Sequence, residues 1–232
     1  MARPVLLEIC VESLECAVAA ERGGADRIEL CEDLSCGGVT PKSELMRAVR
    51  EQVQIPVYAL IRPRAGDFCY SQLEFETMQR EIAVAKETGL NGIVLGLLDS
   101  SRQVAGERTR TLVQLAAPLA STFHRAFDQC PDLTAALEEV IRTGAERILT
   151  SGGAPAVTDS LVKISQLVEQ ARGRILIMPG GAIRCHNVER VLQTTGAGEI
   201  HTSLGGSTER RPDVFERTVR EFKDKLERFV GN

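Results

Sequence analysis

Short apolar runs recur along the chain, each followed by a longer stretch with apolar residues at helical spacing, which is the pattern of repeated strand and helix units. Eight strands are expected, over residues 5–10, 26–31, 56–62, 92–96, 121–125, 147–150, 174–179 and 199–203. Helices follow most of them. Examples are 14–22, 73–88 with Phe75, Met78, Ile82 and Ala85 on one face, 133–143, and a charged closing helix over 212–229. Gly23, Gly89, Gly144 and Gly196 stand where helices should end, as C-terminal glycine caps do. Eight units in 232 residues predict an α/β fold, a (β/α)8 TIM barrel forming a single domain over residues 1–232. An open doubly wound sheet is the alternative, but the first unit lacks the G-x-G-x-x-G turn that would support it.

Alternation along the first two strands sends Glu8 with Cys10, and Glu29 with Cys31, to one face, leaving Leu7, Ile9, Ile28 and Leu30 for the helices. In a barrel, function gathers at the carboxyl ends of the strands. Parity places Glu8, Cys10, Glu29, Cys31, Arg62, His124, His201 and Ser203 toward the axis at or near that end. Isolated buried charges are costly, so the carboxylates should meet Arg62, Arg64, Arg125, a histidine or a ligand. A purely structural ion-pair cluster is the simpler reading of the same residues. Ser151-Gly152-Gly153, Pro179-Gly180-Gly181 and Leu204-Gly205-Gly206 follow the last three strands, where barrels often hold an anion on backbone N–H groups, although such glycines can equally serve tight turns.

Composition narrows the field. The net charge is −4, with both signs mixed and no long basic run, so no nucleic-acid partner is expected. No window approaches the roughly 18 uninterrupted apolar residues of a spanning helix, and Met1-Ala2-Arg3-Pro4 leads directly into a strand, so neither membrane nor signal peptide is expected and the cytoplasm is the default location. The seven cysteines are odd in number and form no CxxC pair, which argues against a disulfide framework and a zinc ribbon. Cys16 and Cys185 read as incidental. Cys36, Cys69 and Cys130, which follow strands, are less easily set aside.

A set of motifs spread over most of the chain resembles one family. They are Leu7-Glu8-Ile9-Cys10-Val11, then Glu21-Arg22-Gly23-Gly24-Ala25-Asp26-Arg27-Ile28-Glu29-Leu30-Cys31, and Gly37-Gly38-Val39-Thr40-Pro41. Ile61-Arg62-Pro63-Arg64-Ala65-Gly66-Asp67-Phe68, Thr122-Phe123-His124-Arg125-Ala126-Phe127-Asp128, Leu149-Thr150-Ser151-Gly152 and Met178-Pro179-Gly180-Gly181 complete the series. Together they resemble the CutC copper-homeostasis family. The resemblance implies a cytoplasmic barrel protein, usually a homo-oligomer, linked to copper tolerance and proposed to bind Cu(I). It places the proposed copper-binding cysteines on Cys10 and Cys31. The chain departs from the family pattern at Ala182, where a third glycine is common, and at Leu204-Gly205, departures that bear on the anion-binding loop more than on the thiols.

The thiol chemistry can be judged separately. Cu(I) is soft and favours thiolates, and neighbouring parallel strands lie about 4.8 Å apart, so two thiolates could hold one ion. The same spacing admits a redox couple or inert packing. His124 and His201 could complete a metal site or act as hydrogen-bonding residues. The competing class is an isomerase or lyase acting on a small anionic or sugar substrate, with Glu8 and Glu29 as general acid and base. Arg62 or Arg64 would then clamp the substrate and His124 or His201 would stabilise developing charge, with Ser151, Gly152, Gly180 and Gly181 available to an anion. No predicted strand carries a lysine, so a barrel Schiff base is not expected. Asp67 and Asp128 could bind a hydroxyl or a hard cation, or cap the following helix.

Overall fold

The computed structural model describes residues 4–204 and 211–231. Eight parallel strands form one sheet: β1 (Leu6–Val11), β2 (Arg27–Leu30), β3 (Val57–Leu60), β4 (Gly92–Leu95), β5 (Ala120–Phe123), β6 (Arg147–Thr150), β7 (Leu176–Pro179) and β8 (Glu199–Thr202). Helices α1 (Leu14–Arg22), α2 (Ser43–Gln52), α3 (Gln72–Glu87), α4 (Gly106–Ala116), α5 (Leu133–Thr143), α6 (Leu161–Ala171), α7 (Val188–Thr195) and α8 (Pro212–Gly231) alternate with them. β1 pairs with both β2 and β8, and a parallel bridge between Gly180 and His201 joins β7 to β8, so the sheet closes into the expected TIM barrel and the open-sheet alternative falls.

Two cores follow from strand parity. Leu7, Ile9, Val11, Ile28 and Leu30 join the large outer core between strands and helices, together with Phe75, Met78, Ile82 and Ala85 of α3. Burying each such side chain contributes on the order of 1.5–3 kcal/mol. The inner cluster is small, made of Cys10, Cys31, Tyr58, Leu60 and Val94, and buried charged side chains, among them Glu8, Arg27, Glu29 and Arg147, share the interior with it. The helix starts are set by side chains: Ser13 accepts from the Cys16 N–H ahead of α1, and Ser71 with Glu74 forms a capping box on α3.

The glycines divide by purpose. Gly144 and Gly196 cap α5 and α7 in the left-handed conformation, as expected. Gly23 also caps α1, but in the right-handed conformation, and it provides space, because a Cβ there would stand 2.6 Å from Val219 Cβ where α8 packs on α1. Ala182 and Leu204, where the family pattern is broken, both adopt positive φ, at 57° and 52°. Gly205 and Gly206 lie outside the described residues. No helix among the described residues is long and apolar enough to cross a membrane.

Candidate functional site

Neighbouring strands bring the first-strand and second-strand motifs together. Cys10 stands opposite Glu29 in the ladder, and Cys31 lies two residues farther along the same face, which sets the two sulfurs 3.4 Å apart. Both thiols are buried, at 3% and 0% exposure. One sulfur, one Glu29 oxygen and one His201 nitrogen all lie within 4.8 Å of one another, a grouping with metal-ligand spacing. His201 is held from behind: its Nδ1 is 2.7 Å from Glu8 Oε1, while its Nε2 faces Glu29 Oε2 at 3.5 Å.

Electrostatics assigns each group a state. The hydrogen bond to Cys31, burial and the nearby Glu29 push the Cys10 thiol well above its ordinary range, so it holds its proton. Burial raises Glu29, and the Glu8 charge adds to this against the opposing pull of His201. Burial alone would raise Glu8 as well, but Arg27 and His201 overcome it and hold that carboxyl at about 2. His201 is raised despite its burial because Glu29 and Glu8 flank it.

Below this layer lies an ion network that parity could have revealed. Arg27 pairs with Glu8 and, at 2.7 Å, with Glu199, which Arg147 also holds at 2.6 Å. The Tyr58 ring lies against both guanidinium groups, 5.0 and 5.6 Å from its centroid. Arg27 shares its parity with Glu29, and Glu199 with His201, so alternation alone marks both as inward. Of the two carboxylates marked by parity, Glu8 meets Arg27 and His201 and Glu29 faces His201, so the expected histidine is the shared partner and the arginine is Arg27 rather than Arg62, Arg64 or Arg125.

Arg62 lines the mouth as expected, whereas Arg64 departs from expectation. Arg62 lies past the end of β3 and donates from Nη1 and Nη2 to the carbonyls of Cys36, Gly38 and Gly66. Arg64 turns outward to Glu74 and Asp67, 2.5 and 2.9 Å away, and so cannot clamp a ligand at the mouth. Cys69 is exposed, Cys36 half-buried beside Asp33, and Cys130 packed in the outer core.

A cavity of about 120 Å³ opens at the carboxyl ends, walled by Glu29 and His201 on one side and by Arg62, His124 and Arg125 with Phe68, Leu60 and Leu149 around them. Broader grooves of about 720 and 730 Å³ lie on the outer helices, away from these groups. Neither cysteine nor Glu8 lines the cavity; Gly38 packs against Cys31, where a Cβ would come 3.5 Å from Sγ.

Among the described residues, the glycine loops after β6 and β7 serve as turns rather than as an open anion cup. Asp128 fills that place from within, accepting from the N–H groups of Ser151 and Gly153, the hydroxyls of Thr150 and Ser151, and the Arg125 guanidinium. The Gly152 N–H donates to Thr150 Oγ1 and the Gly180 N–H to the Thr150 carbonyl. A Cβ at Gly181 would approach Ser151 Cβ to 3.0 Å. Asp128 thus serves as an internal anion instead of capping a helix, a role that depends on a partner 23 residues away and leaves no local trace in the sequence.

The CutC family model matches residues 5–206. A human copper homeostasis protein cutC homolog is 49% identical over 198 residues, covering 85% of this chain and 72% of the relative. A CutC family protein of Chromobacterium violaceum is 44% identical over 201 residues, covering 87% and 81%. The crystal structure of a CutC protein from Streptococcus agalactiae superposes with a TM-score of 0.81 at 32% identity, covering 86% of this chain and 98% of that one. A thiamine phosphate pyrophosphorylase from Pyrococcus furiosus, at 15% identity and a TM-score of 0.66, shares the fold alone. With the motifs on β1 and β2, the family-model match and these relatives in agreement, the chain belongs to the CutC family of copper homeostasis proteins.

Proposed function

We propose that this protein holds Cu(I) as cargo on the thiolates of Cys10 and Cys31, in the cytoplasm, with His201 as a third donor. The observation that carries this is the 3.4 Å separation of the two sulfurs. With metal–sulfur bonds of about 2.3 Å, one ion reaches two sulfurs up to roughly 4.6 Å apart. The donor set fits: two soft sulfurs and an imidazole suit Cu(I). Glu8 on Nδ1 of His201 is the carboxylate–histidine arrangement that orients a metal-binding imidazole. Binding must displace the Cys10 proton, and Glu29 beside it is placed to receive that proton.

The mixed set of Cys10, Glu29 and His201 supports a second reading, a borderline divalent ion such as zinc held by sulfur, oxygen and nitrogen. The acid–base enzyme reading is weakened at Glu8, which is sealed from the cavity and tied to Arg27 and His201. Anaerobic titration against a chromophoric Cu(I) chelator separates the metal readings. Near-stoichiometric tight binding, lost in the Cys10→Ser, Cys31→Ser protein, supports the thiolate site. Preference for zinc, with Cys31→Ser harmless, supports the mixed set. Self-association, implied by the family, is part of the same proposal and is tested by light scattering.

A further inference from the structure

The cavity is lined by two side chains that carry buried hydrogen-bond donors without a partner among the described residues. His124 Nδ1 accepts from the Ala126 N–H at 3.1 Å, which puts the proton of the neutral ring on Nε2. That Nε2 is buried without a partner among the described residues, and so is Nε of Arg62, whose other two nitrogens are taken by backbone carbonyls. Both side chains are more than nine-tenths buried and both line the cavity. The Tyr70 hydroxyl lies beside the Arg62 guanidinium.

The imidazole is built into place. Its ring stacks at a tilt on Phe68, 4.9 Å between centroids, and Gly96 leaves it room, since a Cβ there would stand 2.4 Å from Nδ1. Burial, helped by the Arg62 charge, holds His124 at about 3, so the ring stays a neutral donor across the physiological range. Buried N–H groups without an acceptor are rare because each is costly, and two on one cavity mark the position of an oxygen the protein itself does not supply.

We propose that this cavity is a binding site for a short hydroxycarboxylate, whose carboxylate oxygens are received by His124 Nε2–H and Arg62 and whose hydroxyl turns to Glu29 and His201. The anion follows from Arg62 and Arg125 in the wall, and the second polar group from Glu29 and His201 opposite. Leu60, Phe68 and Leu149 suit a carbon body between them. A volume of about 120 Å³ matches about four waters at ~30 Å³ each, which limits the ligand to about two or three carbons with their oxygens. Phosphate is disfavoured on two grounds: Asp128 already occupies the glycine-loop N–H groups, and a dianion would face Glu29. The site shares Glu29 and His201 with the copper reading, but its anion-binding end, His124 and Arg62, is separate from the thiols, neither of which lines it.

The test is calorimetric titration of the metal-free protein with glycolate, lactate and glycerate, and with inorganic phosphate for comparison. His124→Asn keeps a side-chain oxygen for the Ala126 N–H and removes the Nε2 donor. One hydroxy acid should bind more tightly than phosphate, weaken roughly tenfold or more in His124→Asn, and move the His124 ring nitrogen signals by NMR. Should His124→Asn misfold, Gly96→Ala displaces the same ring and should cause the same loss. The proposal is overturned if no hydroxy acid binds, if phosphate binds more tightly, or if binding survives both substitutions.

Discussion

His201 Nδ1 lies 2.7 Å from Glu8 Oε1, joining the eighth strand to the first across the closure of the barrel. This contact links the buried ion network below to the thiol layer above. Glu8 is simultaneously the partner of Arg27, so one fully buried carboxylate fixes both a guanidinium and the imidazole that faces Glu29.

Glu8→Gln should therefore be costly. It removes the charge that compensates Arg27 and leaves that guanidinium with Glu199 alone, and breaking one partner of a buried pair typically costs about 3–5 kcal/mol. Urea unfolding measures the loss; a change below about 1 kcal/mol would show that the network is dispensable.

Stability should fall with acid because of His124. The unfolded imidazole takes a proton below about 6.5, whereas the folded ring stays neutral down to about 3. Between those values the unfolded chain binds the extra proton, so stability declines as pH drops, by up to about 1.4 kcal/mol per pH unit from this group. Glu8, held at about 2, adds a further decline below its ordinary 4.5. In His124→Asn the slope between about 6.5 and 4.5 should flatten in pH-dependent denaturation, while the decline due to Glu8 remains.

Asp128→Asn should loosen the loop after β6. It removes the charge that receives the Ser151 and Gly153 N–H groups and the Arg125 guanidinium, and a loss of about 2 kcal/mol is expected. Hydrogen exchange should accelerate at Ser151 and Gly153. Unchanged exchange there would contradict the internal-anion role.

Ala182→Gly should stabilise the protein. The alanine holds φ of 57°, where a side chain costs about 1–2 kcal/mol, partly offset by the greater freedom glycine brings to the unfolded chain. A net gain of about 0.5–1 kcal/mol is expected in thermal unfolding, and a net loss would contradict it.

These outcomes depend on features that were unequally legible in the sequence. Strand parity is local, so it placed Glu8, Cys10, Glu29 and Cys31 on the inner face, and it applied equally to Arg27, Arg147 and Glu199. Those three lie in the lower layer of the barrel, away from the carboxyl ends where function gathers. Parity still places Arg62 at the cavity just past β3, but it fails at Arg64, where Pro63 and the turn to Gly66 set direction instead. Asp128 reaches its partners only through the closed fold, and no spacing along the chain announces that.

The copper account is tested most directly by X-ray absorption at the copper edge of the anaerobically loaded protein. Two sulfur neighbours on Cu(I), both lost in the Cys10→Ser, Cys31→Ser protein, are the predicted result. A shell of nitrogen and oxygen alone, or a sulfur signal unchanged by the double substitution, would contradict it.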